Sequence, residues 1–185
     1  MSNPTLILII GLPGTGKTVL SKKLAQHLDL PLLSKDILKE IMFDDLGWND
    51  RGWSKKVGNA AYHLIDYFIE EQLKASHSLI IESTFNPKFD NSKFQNLQKQ
   101  HNCNIIQVLC HADGKILLKR FMQRATTDEV HPGHAQNSTD HLDEFKEQLL
   151  KGRAETLDLK GGIVEVDTTD FSEVNDVAII EEVRS

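Results

Sequence analysis

Leu6-Ile7-Leu8-Ile9-Ile10-Gly11-Leu12-Pro13-Gly14-Thr15-Gly16-Lys17-Thr18 sets an unbroken apolar run against a full G-x-x-x-x-G-K-[ST] match, and an amphipathic stretch follows at once. A buried strand, a glycine-rich turn and a helix in that order predict a cradle for the phosphates of a nucleoside triphosphate. Backbone N–H groups from Gly14 to Thr18 must converge on one concavity, where side chains would crowd the ligand. Gly11, Gly14 and Gly16 give the required φ values and close approach, and the helix beginning near Gly16 adds the positive end of its dipole. Pro13 and Thr15 complete the loop. Lys17 is placed to reach the β- and γ-oxygens, and the Thr18 hydroxyl to ligate Mg²⁺. The glycines run G-x-x-G-x-G instead of the G-x-G-x-x-G of nicotinamide-binding turns, which argues against a dinucleotide fold.

Beyond this loop, apolar runs alternate with helical-period segments. Strands are expected at 6–10, 31–33, 78–82, 104–110 and 163–167. Helices are expected at 17–28, 35–45, 53–75, 88–100, 113–126, 139–157 and 172–183. That alternation predicts an α/β fold, a three-layer α/β/α sandwich around a five-stranded, mainly parallel sheet. Residues 6–10 and 79–81 lack period-two alternation, as strands covered on both faces do. In the long helix Val57, Ala60, Ala61, Leu64, Ile65, Phe68, Ile69 and Leu73 follow helical spacing and mark its inner face.

The 185 residues suit one domain, 1–185, and the net charge of −6 leaves no electrostatic footprint for duplex DNA. Cys103 and Cys110 are too few for a disulfide framework or a zinc site. No basic leader precedes the first apolar run, and that run is too short to span a bilayer. A cytoplasmic protein without membrane attachment is expected.

Two segments do not read as framework. Residues 44–54 place Trp48 and Trp53 in a polar, turn-rich stretch, and residues 126–139 hold His131-Pro132-Gly133-His134 between two helices. Loops of that length are commonly binding elements. The H-x-x-H pair, even with Asp140 and His141 nearby, lacks the cysteine company and regular spacing of a metal site, so a lid or substrate-loop role is favoured.

With Ser34-Lys35-Asp36-Ile37-Leu38-Lys39 opening the second helix, Leu79-Ile80-Ile81-Glu82-Ser83-Thr84 ending a strand, and Lys119, Arg120 and Arg124 on one helix, the chain resembles the P-loop small-molecule and polynucleotide kinases. The resemblance runs from Thr5 to about Val183. It implies that Asp36 is the general base for an acceptor hydroxyl and that Lys39, where the family more often has Arg, faces the substrate. It implies that Arg120 and Arg124, at i and i+4, are lid arginines over the transferred phosphoryl group, the helical lid covering about 113–157. Glu82 takes the Walker-B-like place, toward either the metal or the acceptor. The resemblance also implies that Thr168, after the last strand, lies against adenine and ribose, with a capped loop before the next helix as the alternative. Trp48 and His131 belong to the acceptor side. ATP and Mg²⁺ are the implied cofactors, and the implied reaction is transfer of the γ-phosphoryl group to an alcohol of a small molecule. A nucleic-acid 5′ end shares the chemistry but suits the acidic composition less. A regulatory ATPase without a small acceptor is the alternative, although no N-K-x-D guanine motif is present, and the D-x-x-G tetrapeptides at 44–47 and 158–161 do not follow a buried strand.

Overall fold

The computed structural model describes residues 3–125, 130–134 and 139–184. Five strands, β1 (Thr5–Gly11), β2 (Leu32–Ser34), β3 (Leu79–Glu82), β4 (Asn104–His111) and β5 (Ile163–Asp167), form a sheet in the order β2-β3-β1-β4-β5. Every pairing is parallel, so the sheet is wholly parallel where a mainly parallel one was expected. Ile9 pairs with Glu82 and Ser34 with Glu82 in register, which brings three strand ends to one edge beside the glycine loop.

Helices cover both faces, and the central strand shows why. Leu6, Leu8 and Ile10 pack with Ile65, Ile69 and Leu73 of α3 (Arg51–Lys74) and Phe94 of α4 (Pro87–His101). Ile7 and Ile9 point the other way, onto Leu20 and Leu24 of α1 (Lys17–Leu28) and Ile179 and Ile180 of α7 (Asp176–Arg184). A strand buried on both sides has no use for polar alternation, which is the physical basis of its unbroken apolar run. The edge strand β5 does alternate, with Val164 and Val166 inward. A third cluster of Leu12, Ala112, Leu117, Phe121 and Leu149 ties α5 (Gly114–Ala125) and α6 (Thr139–Leu150) to the root of the glycine loop.

Several expected boundaries move. α3 starts at Arg51 because the Asp50 carboxylate caps it, accepting the Trp53 N–H at 2.8 Å. On the same helix Ala60 and Leu64 face outward, while Ser54 and Gly58 take buried places beside α2 (Lys35–Leu46). α6 ends at Leu150, short of the expected 157. Gly152, at φ +76°, turns the chain back so that its carbonyl accepts from the Ala112 N–H. α7 begins only at Asp176, after a short 3₁₀ turn at Phe171–Glu173. Of the expected loop at 126–139, residues 130–134 are described and Thr139 opens α6, while Asn137-Ser138 of the polar run lies outside the described residues.

Candidate active site at the carboxyl edge of the sheet

The glycine loop has the conformation that its sequence requires. Gly14 and Gly16 lie at φ +86° and +75°, and a Cβ on Gly11 would come within 2.6 Å of the Cys110 carbonyl oxygen. Gly16 is the N-cap of α1 and brings no side-chain acceptor, so the first-turn donors of the helix point into the loop uncapped. Thr15 is fully buried and its hydroxyl donates to the Leu12 carbonyl at 2.8 Å, which fixes the turn from within. The Lys17 ammonium donates to the same carbonyl at 3.1 Å, folding its side chain along the loop. Beneath it, burial pushes the Cys110 thiol up to about 12, so this cysteine is an inert wall.

Glu82 is 2 % exposed at the end of β3. Its Oε1 accepts from the Thr18 hydroxyl at 3.1 Å, whereas its Oε2 and the neighbouring Ser34 hydroxyl are buried without a hydrogen-bond partner. Orphaned polar atoms of this kind are costly, by about 1–3 kcal/mol each, and they cluster where a ligand or ion completes the site. A carboxylate and a hydroxyl beside a phosphate cradle are the hard oxygen donors that suit Mg²⁺ or its bound waters. Thr18 and Glu82 therefore fit the metal role expected of them.

One strand further out, Ser34 caps α2 through its backbone alone, with no side-chain cap. Asp36 is exposed in the first turn. Lys39, a turn on, donates to Ser54 Oγ at 3.2 Å with its stem against Gly58. Burial lowers its pKa against the opposing pull of Asp36, which marks a partly desolvated cation facing inward. Tyr62 on α3 closes the floor, donating to the Thr84 carbonyl at 2.6 Å while Lys35 lies over its ring.

Arg120 and Arg124, the pair expected to serve as lid arginines, are placed differently from each other. Arg120 donates to the carbonyls of Gly14 (3.3 Å), Thr168 (2.9 Å) and Thr169 (2.9 Å), and its guanidinium stacks on the Phe171 ring at 3.9 Å. It fastens the glycine loop to the exit of β5. Arg124 is exposed one turn on. The Thr168 hydroxyl is engaged by the His111 carbonyl at 2.9 Å, so that residue turns its carbonyl toward Arg120 and its side chain away. Phe171 is a site residue that the sequence reading missed. Its ring packs on Gly16 so tightly that a Cβ there would approach within 2.7 Å, and its only sequence signal is an aromatic in a Thr-Thr-Asp exit turn. Ser34, Ser54 and Tyr62 were missed as well, because single polar residues in helices and strand ends carry no pattern.

His131 and His134 engage α2 instead of projecting into solvent, and Trp48 packs edge-on against His131 at 5.1 Å between ring centroids. Trp53 donates its indole N–H to the Gly47 carbonyl at 2.9 Å. Asp140 and His141, named beside the histidines above, have no described side chains. Among the described residues no helix is long and apolar enough to cross a membrane.

A family model described as an AAA domain matches residues 6–149. A "putative kinase" from Chloroflexus aurantiacus J-10-fl superposes with a TM-score of 0.91 at 39 % identity, covering 99 % of this chain and 98 % of that one. A sugar kinase from Janibacter sp. HTCC2649 (TM-score 0.54, 11 % identity, 98 % and 92 % covered) and a gluconokinase from Sinorhizobium meliloti 1021 (TM-score 0.50, 16 % identity, 98 % and 90 % covered) share the fold alone. No curated protein sequence matches the chain. With the family match spanning the glycine loop, α2 and the chain onward to the end of α6, the chain belongs to the AAA-domain family and has the P-loop kinase-like α/β fold.

Proposed function

We propose that the protein transfers the γ-phosphoryl group of Mg·ATP to a hydroxyl of a small molecule. The observation that carries this reading is the buried Glu82 carboxylate. One oxygen is held by Thr18 of the phosphate loop and the other is orphaned, one strand from the exposed carboxylate of Asp36. Thr18 and Glu82 would hold Mg²⁺, which when bound offsets phosphate charge. Gly11, Pro13, Gly14, Thr15, Gly16 and Lys17 cradle the phosphates, and Lys17 turns from the Leu12 carbonyl onto the terminal oxygens. Asp36 accepts the proton of the attacking hydroxyl, and Lys39 holds the acceptor from the inner side. Arg120 anchors the nucleotide side with Thr168 and Phe171, and Arg124 faces the charge that spreads over the phosphoryl group in transit.

A small acceptor is favoured over a nucleic-acid 5′ end because Trp48, although half exposed, is already paired with His131 and the Trp53 indole is tied to Gly47. The net charge of −6 points the same way. The kinase neighbours support the reading, and the sugar kinase and gluconokinase among them suit a polyhydroxylated acceptor. The test is a phosphate-transfer screen over sugars, nucleosides, antibiotics and 5′-hydroxyl oligonucleotides, with Lys17→Ala as the control. Transfer to a small alcohol that vanishes in the control supports the assignment; transfer confined to oligonucleotides, or an unaffected control, overturns it.

A further inference from the structure

The turn at residues 131–134 belongs in sequence to the connection between α5 and α6, yet it packs on α2 and α3. It has no room to sit otherwise. Phe43 of α2 is fully buried beneath it, and a Cβ on Gly133 would fall 2.4 Å from the Phe43 ring. His131 stacks on that ring at 5.4 Å between centroids and His134 meets it edge-on at 5.6 Å.

Two carboxylates of α2 fasten the turn at its ends. His131 Nδ1 accepts the Gly133 N–H at 3.0 Å, which leaves the proton of the neutral ring on Nε2, 3.1 Å from Asp44 Oδ1. His134 Nε2 lies 3.0 Å from Glu40 Oε1, and its side chain is only 8 % exposed. Lys39 Nζ lies over the same Phe43 ring at 5.3 Å from its centroid, so the cation assigned to the acceptor side and the His134 ring share one aromatic anchor. Asp44 and Glu40 are four residues apart on one helical face, the same face that carries Asp36 a further turn back.

We propose that His131-Pro132-Gly133-His134 is a latch that closes onto α2, the acceptor helix of the kinase reading, with His134 a positioning residue that forms the inner wall of the acceptor pocket. The inference deepens the kinase reading and rests on its assignment of α2 to the acceptor side. Fastening by two separate ion-dipole pairs around one aromatic anchor gives the wall a defined closed state. Its release would open the space above the partly buried Lys39 to water.

The protein carries its own reporter, since Trp48 touches His131 and the chain has two tryptophans. In a Trp53→Phe background, Trp48 emission, acrylamide quenching and hydrogen exchange over 131–134 and α2 are measured for the parent, His134→Ala, Gly133→Val and Glu40→Ala. Glu40→Ala removes the partner from a half-exposed position and leaves the buried turn intact, so it stands in if Gly133→Val does not fold. Red-shifted, more quenchable emission and exchange faster by about tenfold in the turn are expected, because tenfold corresponds to losing roughly 1.4 kcal/mol of closure. His134→Gln, which keeps an N–H near Glu40, should recover most of the parental exchange. ATP hydrolysis without added acceptor should rise by about threefold or more in the opened variants as water takes the acceptor's place over the partly buried Lys39. Unchanged emission and exchange in both His134→Ala and Glu40→Ala overturn the latch, and faster exchange with unchanged hydrolysis overturns its acceptor-side role. Neither spectroscopic readout needs nucleotide, so the latch is judged separately from the kinase reading, which fails instead if Lys17→Ala keeps full ATP turnover.

Discussion

Asp36 and Ser34 share the start of α2, and only one of them serves the helix. Ser34 is the N-cap and its buried hydroxyl is unpartnered, while Asp36 sits exposed in the first turn, where a carboxylate gains a few tenths of a kcal/mol from the helix dipole. Asp36→Asn should therefore leave the melting temperature within a degree or two and cut phosphoryl transfer by ~10²-fold or more, the usual worth of a lost general base. A melting temperature that falls while turnover per folded molecule is kept would assign Asp36 to the helix instead. The conformation of the glycine loop could be read directly because it is written in fixed spacing. Ser34 and Phe171 could not, since what distinguishes them is an absent partner in one case and contact with Gly16 across the fold in the other.

α5 carries two arginines at i and i+4 whose equivalence in the sequence ends in the folded chain. Arg120 spends its guanidinium on three carbonyls and one aromatic face, so Arg120→Ala should loosen the loop and weaken ATP binding. Arg124→Ala should instead reduce transfer with little change in nucleotide affinity. Titration calorimetry with a non-hydrolysable ATP analogue, beside single-turnover transfer rates, separates the two; the reverse pattern would exchange their roles. The turn at 131–134 adds a pH dependence. Burial holds the His134 imidazole below its usual range of ~6.5, Lys39 adds to the shift, and Asp36 and Glu40 oppose it. A group whose pKa is lowered in the closed state favours closure fully above its ordinary pKa and gives that up as pH falls. Trp48 emission should accordingly report a closed turn at pH 7–8 and an opening one below ~6.5, with the transition lost in His134→Ala. Emission that is flat across that range in the parent protein would remove the pH dependence.

Site and foundation lie at opposite edges of the sheet. At the edge away from the phosphate loop, Gly161 has φ +142°, and a Cβ there would meet the Ile105 carbonyl oxygen at 1.8 Å, so the chain between α6 and β5 is seated directly on β4. Gly161→Ala should cost about 1–3 kcal/mol or more from forced backbone conformation. For a chain of this size that is a fall of roughly 2–12 °C in melting temperature. ATP affinity of the folded fraction should stay at the parental value; a loss of affinity at a temperature where the variant is folded would show that the two edges are coupled. The parallel sheet, its central strand and the phosphate loop were legible in the sequence because each rests on a local rule: a strand covered on both faces is apolar throughout, and phosphates need glycine at set intervals. The end of α6 was not legible, since Gly152 stops it by meeting Ala112 from another element, and neither was the inward or outward aim of Arg120, Trp48, Leu64 and the two histidines. Helical spacing fixes which residues share a face but not which neighbour that face meets. That choice belongs to contacts between elements distant in the chain, such as Phe43 under Gly133 and Glu82 against Thr18, which form only when the sheet order brings them together.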